Sequence, residues 1–225
     1  MNHPGMNPPA LPGKTCLRSI LREKTRDDHR RLDHHPLLGP LVRPGLTREH
    51  YGRVLLTFSW IYEHVDARLQ MALDQFVGEL PFHMSDRRGW LHADLDQLGL
   101  LSQSQNSPLH AWTVPPITSP AQLIGHLYVV EGSTLGGQVI ARLVHEGIGI
   151  TPESGGRFFH GHGAKTIEHW ESLWTLAGTL VSAGDEPPCA QAASQLFAAL
   201  NDAFCIVARY WQMPADAPPE FFALN

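Results

Sequence analysis

Apolar positions in this chain recur three and four apart, and no apolar–polar alternation runs beyond a few residues. The spacing therefore predicts helices and no sheet. Leu17, Ile20, Leu21 and Leu32 form the stripe of a first helix over about 15–34, ended by His34-His35-Pro36, since proline disfavours helix in the residue before it. Pro40 to Gly45 reads as a loop. Thr47 then caps a long helix over about 48–76, with Tyr51, Val54, Leu55, Phe58, Ile61, Tyr62, Val65 and Leu69 inward. A third helix is predicted over about 86–99, followed by a polar, proline-rich loop from Ser102 to Pro120. Ser119 and Pro120 suit the start of a helix carrying the long apolar run Leu123–Val144, to about Gly147. Arg157 to Gly163 reads as a short ordered loop. Two more helices follow, over about 167–182 with Thr166 as cap and over about 188–211, where Leu196, Phe197, Leu200, Phe204 and Val207 face inward. The fold class is all-α, a single-domain helical bundle.

The apolar run contains an anomaly. Its centre reads Glu131-Gly132-Ser133-Thr134-Leu135-Gly136-Gly137-Gln138, and each glycine costs about 1 kcal/mol against alanine in a helix interior. Gly132 and Gly136 lie four apart and share a face with Gly125, Val129 and Ile140. A face without side chains lets something approach the backbone closely and lets the helix bend. Two occupants are compatible with it: a tightly packed neighbouring helix, or a flat ligand.

Composition narrows the function. With 225 residues, 43% of them hydrophobic, the chain can bury one core. A flexible leader over 1–14, a helical domain over 15–213 and a loose tail over 214–225 are expected. The net charge of -5 does not suit a nucleic-acid binder. Glu131, Gln138 and Arg142 interrupt the run that comes nearest to a membrane span. Three scattered cysteines and no signal peptide point to a reducing cytoplasm rather than a disulfide frame. His160 and His162 have metal-like spacing but no cysteine or carboxylate beside them, so they carry little as a zinc site. Glu63 and His64 lack the matching carboxylate–histidine set that a di-iron bundle needs.

Among the 14 histidines, His29 stands out. On a helical wheel it falls at one edge of the first stripe, with Arg22, Arg26 and Asp33 within roughly 60° on the same side. A rim histidine can offer one ring nitrogen to a metal, and a carboxylate one turn later can fix the other. Two arginines one and two turns back suit the carboxylates of a ligand. A solvated, mixed-charge face remains the plain alternative for this helix. Haem needs both unusual surfaces: an axial imidazole on one side and close apolar contact for its flat ring on the other.

The chain resembles the haem oxygenase family, in particular the bacterial branch found beside bacterial phytochromes. The resemblance rests on three blocks: Leu21-Arg22-Glu23-Lys24-Thr25-Arg26-Asp27-Asp28-His29-Arg30-Arg31-Leu32-Asp33; Tyr128-Val129-Val130-Glu131-Gly132-Ser133-Thr134-Leu135-Gly136-Gly137; and Phe158-Phe159-His160-Gly161-His162-Gly163 with Thr166 and Trp170. It implies that His29 is the proximal haem ligand and that Asp33 interacts with it. Arg22 and Arg26 lie near the propionates. Gly132 and Gly136 are the distal glycines, and Phe204 is an aromatic beside the haem. The activity implied is cleavage of haem to biliverdin, carbon monoxide and ferrous iron, using dioxygen and electrons from an external reductant or electron-transfer protein. A phytochrome would accept the bilin. One departure bears on turnover: Ser133 stands where many relatives carry an aspartate that orders water above the iron. That leaves a haem carrier or sensor without turnover as the alternative.

Overall fold

The computed structural model describes residues 14–78 and 80–213. Residues 1–13 of the leader expected over 1–14 and the tail over 214–225 lie outside the described residues, and Lys14 is the first residue of α1. The helices in chain order are α1 (Lys14–Lys24), α2 (Arg26–Asp33), α3 (Arg48–Phe76), α4 (Arg87–Gln97), α5 (Leu101–Ser104), α6 (Pro120–Ile148), α7 (Arg157–His160), α8 (Thr166–Leu180) and α9 (Glu186–Tyr210). Among the described residues there is no strand, and no helix is long and apolar enough to cross a membrane.

Helix α6 is the hub. Its most extensive neighbour is α9, and α3, α7 and α8 also pack on it. Ser119, extended in backbone, accepts a hydrogen bond from the Gln122 amide at 3.3 Å, and Pro120 follows it in the first turn. At the other end Gly149 adopts a φ of 70°, where a side chain would be strained, and its amide bonds the His145 carbonyl. Between these caps α6 runs unbroken through Gly132, Gly136 and Gly137. Tertiary packing of its apolar faces outweighs the glycine penalty. The long helix α3 matches its expected bounds, with the Thr47 hydroxyl accepting from the His50 amide at 3.1 Å.

Three expectations are corrected. The first helix is two: it breaks at Thr25, whose hydroxyl and amide both bond the Leu21 carbonyl, at 2.8 and 3.0 Å. Residues 157–160 form a helical turn rather than a loop, because the Asp94 carboxylate of α4 accepts from the Arg157 and Phe158 amides at 2.8 and 2.7 Å. Thr166 does not cap α8. It is the first residue of the helix, and its hydroxyl donates back to the Gly163 carbonyl.

Candidate functional site

Helices α2 and α6 both pack against α9 but share no packed seam with each other. His29 lies on α2 with its side chain 64% exposed. Its Nδ1 is 2.9 Å from Asp33 Oδ2, one turn on, and its ring meets Phe197 of α9 edge-on at 6.0 Å. The hydrogen bond to Asp33 raises the His29 pKa above its ordinary value. Burial opposes the rise, and the Asp33 charge adds to it. With Nδ1 engaged, Nε2 is the nitrogen left to face a ligand, and the carboxylate fixes tautomer and ring orientation.

Arg22 and Arg26 are exposed. Arg30 and Arg31 reach Asp27 and Asp28 on the same helix, whereas neither Arg22 nor Arg26 has an ion-pair partner among the described residues. The two predicted propionate positions are thus the cations of this face left uncompensated.

The glycines divide by role. A Cβ at Gly125 would stand 2.3 Å from the Cys189 carbonyl of α9, and one at Gly137 would stand 2.8 Å from the Phe159 carbonyl. Those two allow helix packing. Gly132 touches the Trp170 ring of α8, which a Cβ would meet at 3.4 Å. Around Gly136 a Cβ would find nothing within 4 Å. Ser133 and Val139 are exposed beside it, Val139 by 50%. The packed-neighbour reading thus holds at Gly125, where α9 lies against α6, while the face at Gly136 is open.

Ser133 is tied to the protein. Its hydroxyl donates to the Val130 carbonyl at 2.7 Å. It is also a hydrogen-bond partner of Tyr62 on α3, whose phenol is pushed up by burial and partly pulled back by Arg87 and Ser133. Phe204 is 1% exposed, between Phe58 and His35, each ring 5.5 Å away. It belongs to the core, and Phe197 is the α9 aromatic that meets His29.

Behind the open face lies a cluster that the sequence did not assemble. Glu131 and Arg87, with side chains 0% and 1% exposed, pair at 2.6 Å through Oε2 and Nη2. Ser85 donates its hydroxyl to the same oxygen at 2.6 Å and its amide to Oε1 at 3.3 Å. His169 Nε2 stands 2.9 Å from Oε2, and His162 Nε2 stands 2.7 Å from the Ser85 hydroxyl. The two imidazoles stack at 3.9 Å. Gly161 and Gly163, at φ 54° and 56°, turn the chain on either side of His162. Burial pushes the Glu131 carboxyl up, but the Arg87 charge and the bonds from His169 and Ser85 outweigh it and hold the group below the ordinary carboxylate range. Glu131, His162 and His169 bring three ligand-type atoms within 4.8 Å of one another. The sequence signal was a lone carboxylate in an apolar run, which must be paired if buried.

Two cavities lie away from His29. One of about 1030 Å³ runs along α3 and the start of α4, lined by Asp66, Met71, Phe82 and Arg88. The other, about 450 Å³, lies beside Tyr51, Gln138 and Phe159.

The residues of the α2–α6 side fit haem. Nε2 of His29 suits iron, the uncompensated arginines suit propionates, and the bare backbone at Gly136 suits a flat ring. Comparison with known proteins agrees in fold. No curated protein matches the chain by sequence. Among solved structures, the NO- and CO-bound haem oxygenase from Neisseria meningitidis superposes with a TM-score of 0.66 at 22% identity, covering 91% of this chain and 98% of that one. The haem oxygenase from Leptospira interrogans gives 0.63 at 19%, covering 84% and 98%. A haem oxygenase of Synechocystis in complex with haem and NO gives 0.66 at 15%, covering 86% of each chain. The sequence profile of the family described as Heme oxygenase matches residues 16–204. The chain belongs to the haem oxygenase family, whose members are haem-degrading enzymes.

Proposed function

We propose that this enzyme binds haem between α2 and α6 and opens it to biliverdin, with release of carbon monoxide and ferrous iron. The observation that carries the reading is His29. It is exposed, its Nδ1 is held by Asp33 at 2.9 Å and its Nε2 is left for iron, on a helix that shares α9 with the open glycine face. The haem group supplies the redox chemistry, since its iron reduces dioxygen and its ring is what is cut. The chain supplies position. Asp33 keeps the imidazole in the Nδ1–H tautomer, so that Nε2 carries the ligating lone pair. Arg22 and Arg26 fix the ring's rotation through its propionates, and that rotation decides which meso carbon is attacked. Gly132 and Gly136 let the ring lie against the backbone, and Ser133 helps to order water at that surface. Electrons come from an external donor, a role for a separate electron-transfer protein in the cytoplasm. A bacterial phytochrome is the proposed acceptor of the bilin.

A haem carrier or sensor without turnover is the second reading. What favours it is that the Ser133 hydroxyl spends its one proton on the Val130 carbonyl. A hemin titration followed by reductant in air separates the readings. A Soret band saturating at one haem per chain, then replaced by a broad red bilin band, is the expected result. A stable Soret band without bilin would leave the carrier, and no Soret band would overturn both.

A further inference from the structure

The cluster around Glu131 invites a cation, because three ligand-type atoms converge there. The charges argue otherwise. Glu131 and Arg87 already neutralise each other at 2.6 Å, so a divalent ion would leave two uncompensated positive charges in a buried site. The polar groups around the carboxylate are already engaged without it, and of the Arg87 guanidinium only Nε lacks a partner. The Arg87 guanidinium, the Ser85 hydroxyl and His169 donate to Glu131 Oε2, and His162 donates to the Ser85 hydroxyl. Arg87 also donates to the Val130 carbonyl at 3.1 Å and to the Ser85 carbonyl at 3.3 Å. The cluster is a hydrogen-bonded knot joining α6, the start of α4, the loop at His162, and α8.

Its position in the chain gives it a second consequence. Glu131 directly precedes Gly132. At about 100° per residue, the face carrying Gly132, Gly136 and Val139 is centred roughly 110° round the helix from Glu131. Fixing one direction fixes the other. With backbone at about 2.3 Å from the helix axis, a rotation of roughly 20° would move the Gly136 Cα by about 0.8 Å. A misplacement of about 1 Å can cost on the order of 100-fold in rate. The pairing of a buried anchor with a bare face one residue away is what a precisely placed ring requires.

We propose that Arg87 and Glu131 are positioning residues: their ion pair, bracketed by Ser85 and His169, sets the rotation of α6 about its axis and with it the placement of Gly132, Ser133 and Gly136 against haem. This rests on the haem reading above. It adds to that reading two residues that touch neither haem nor its ligand.

The test is the double variant R87M/E131Q, which removes both charges, keeps volume and leaves a side-chain amide for Ser85 and His169. It is compared with the natural chain and with the conservative E131D. In the haem-free protein, amide hydrogen exchange over 131–137 is expected to quicken at least tenfold in R87M/E131Q while exchange over 196–207 is unchanged. With hemin, the variant still binds one equivalent through His29, but its bilin product becomes a mixture of isomers and its single-turnover rate falls at least tenfold. E131D recovers part of both. Exchange, isomer ratio and rate all equal to those of the natural chain would overturn the proposal, leaving the pair a purely structural one. Stoichiometric metal in the purified natural chain, lost in E131Q, would overturn it too. If the natural chain binds no hemin, the haem reading falls by itself, and the exchange measurement still decides whether the pair holds α6.

Discussion

The two sides of α6 differ in how their chemistry is held. On one side Glu131 is fully buried, and Arg87, Ser85 and His169 take up its carboxylate. On the other, Gly136 has open space before it, and His29 on α2 is mostly exposed with one ring nitrogen uncommitted. The buried side pairs its charges without a ligand. The open side is complete only with a ligand, and its residues can be changed with little effect on the fold. Direct ligand contact and buried pairing thereby fall on different faces of one helix, and substitutions should differ first in what they do to stability.

The largest effect expected is that of His29→Ala. An exposed side chain contributes within about 0.5 kcal/mol to stability, so the thermal midpoint stays put. The imidazole-type haem spectrum and turnover are lost, and added imidazole restores part of both. Normal turnover without imidazole would move the ligand elsewhere. On the buried side Glu131→Ala leaves the Arg87 charge without a partner and should cost about 3–5 kcal/mol, read as a large fall in the denaturation midpoint. A midpoint within error of the natural chain would mean that the pair contributes nothing.

The glycines sharpen the contrast within α6. Gly125→Ala places a methyl against the Cys189 carbonyl, and overpacking of this kind costs about 1–3 kcal/mol. Gly136→Ala meets no neighbour. It should stabilise the haem-free helix by up to about 1 kcal/mol while weakening hemin binding. Equal effects of the two on stability would collapse the distinction between packed and open glycines.

A smaller effect is one of pH. Asp33 raises the His29 pKa, and a protonated imidazole cannot ligate iron. Hemin binding should therefore weaken on acidification, starting above the pH expected of an unperturbed histidine. Asp33→Asn lowers that pKa, so the acid limb of a pH-resolved titration moves to lower pH. The same sign governs folding: a raised histidine pKa contributes stability at low pH that is lost as pH rises through the folded value. An unmoved acid limb in Asp33→Asn would remove Asp33 from the account. Smallest of all, Arg22→Ala and Arg26→Ala each remove one exposed charge, worth up to about 1 kcal/mol or fivefold in hemin affinity. No loss in the double variant would place the propionates elsewhere.

What the sequence made legible is what lies within a few residues along one helix. The Thr47 and Ser119 caps, the stripe of α3 and the His29–Asp33 pair are all set by spacings of three or four. What it hid are contacts between distant segments. Asp94 shapes α7 from 63 residues away, so no local pattern distinguishes Arg157–His160 from a loop. Glu131 was visible as a lone carboxylate in an apolar run, but nothing local picks Arg87 from 17 lysines and arginines. His162 and His169 stack through a turn made by Gly161 and Gly163, a geometry that their spacing does not announce. Phe204 and Phe197 share an inward-facing helix, and only the packing of α2 shows which one reaches His29.

The central claim is that haem iron is held by His29 at the open face. Resonance Raman spectroscopy of the haem complex, formed with hemin and then reduced with dithionite to the ferrous state, tests it most directly. An iron–histidine stretching band is expected in the natural chain, absent in His29→Ala and restored when imidazole is added. A band unchanged in His29→Ala would contradict it.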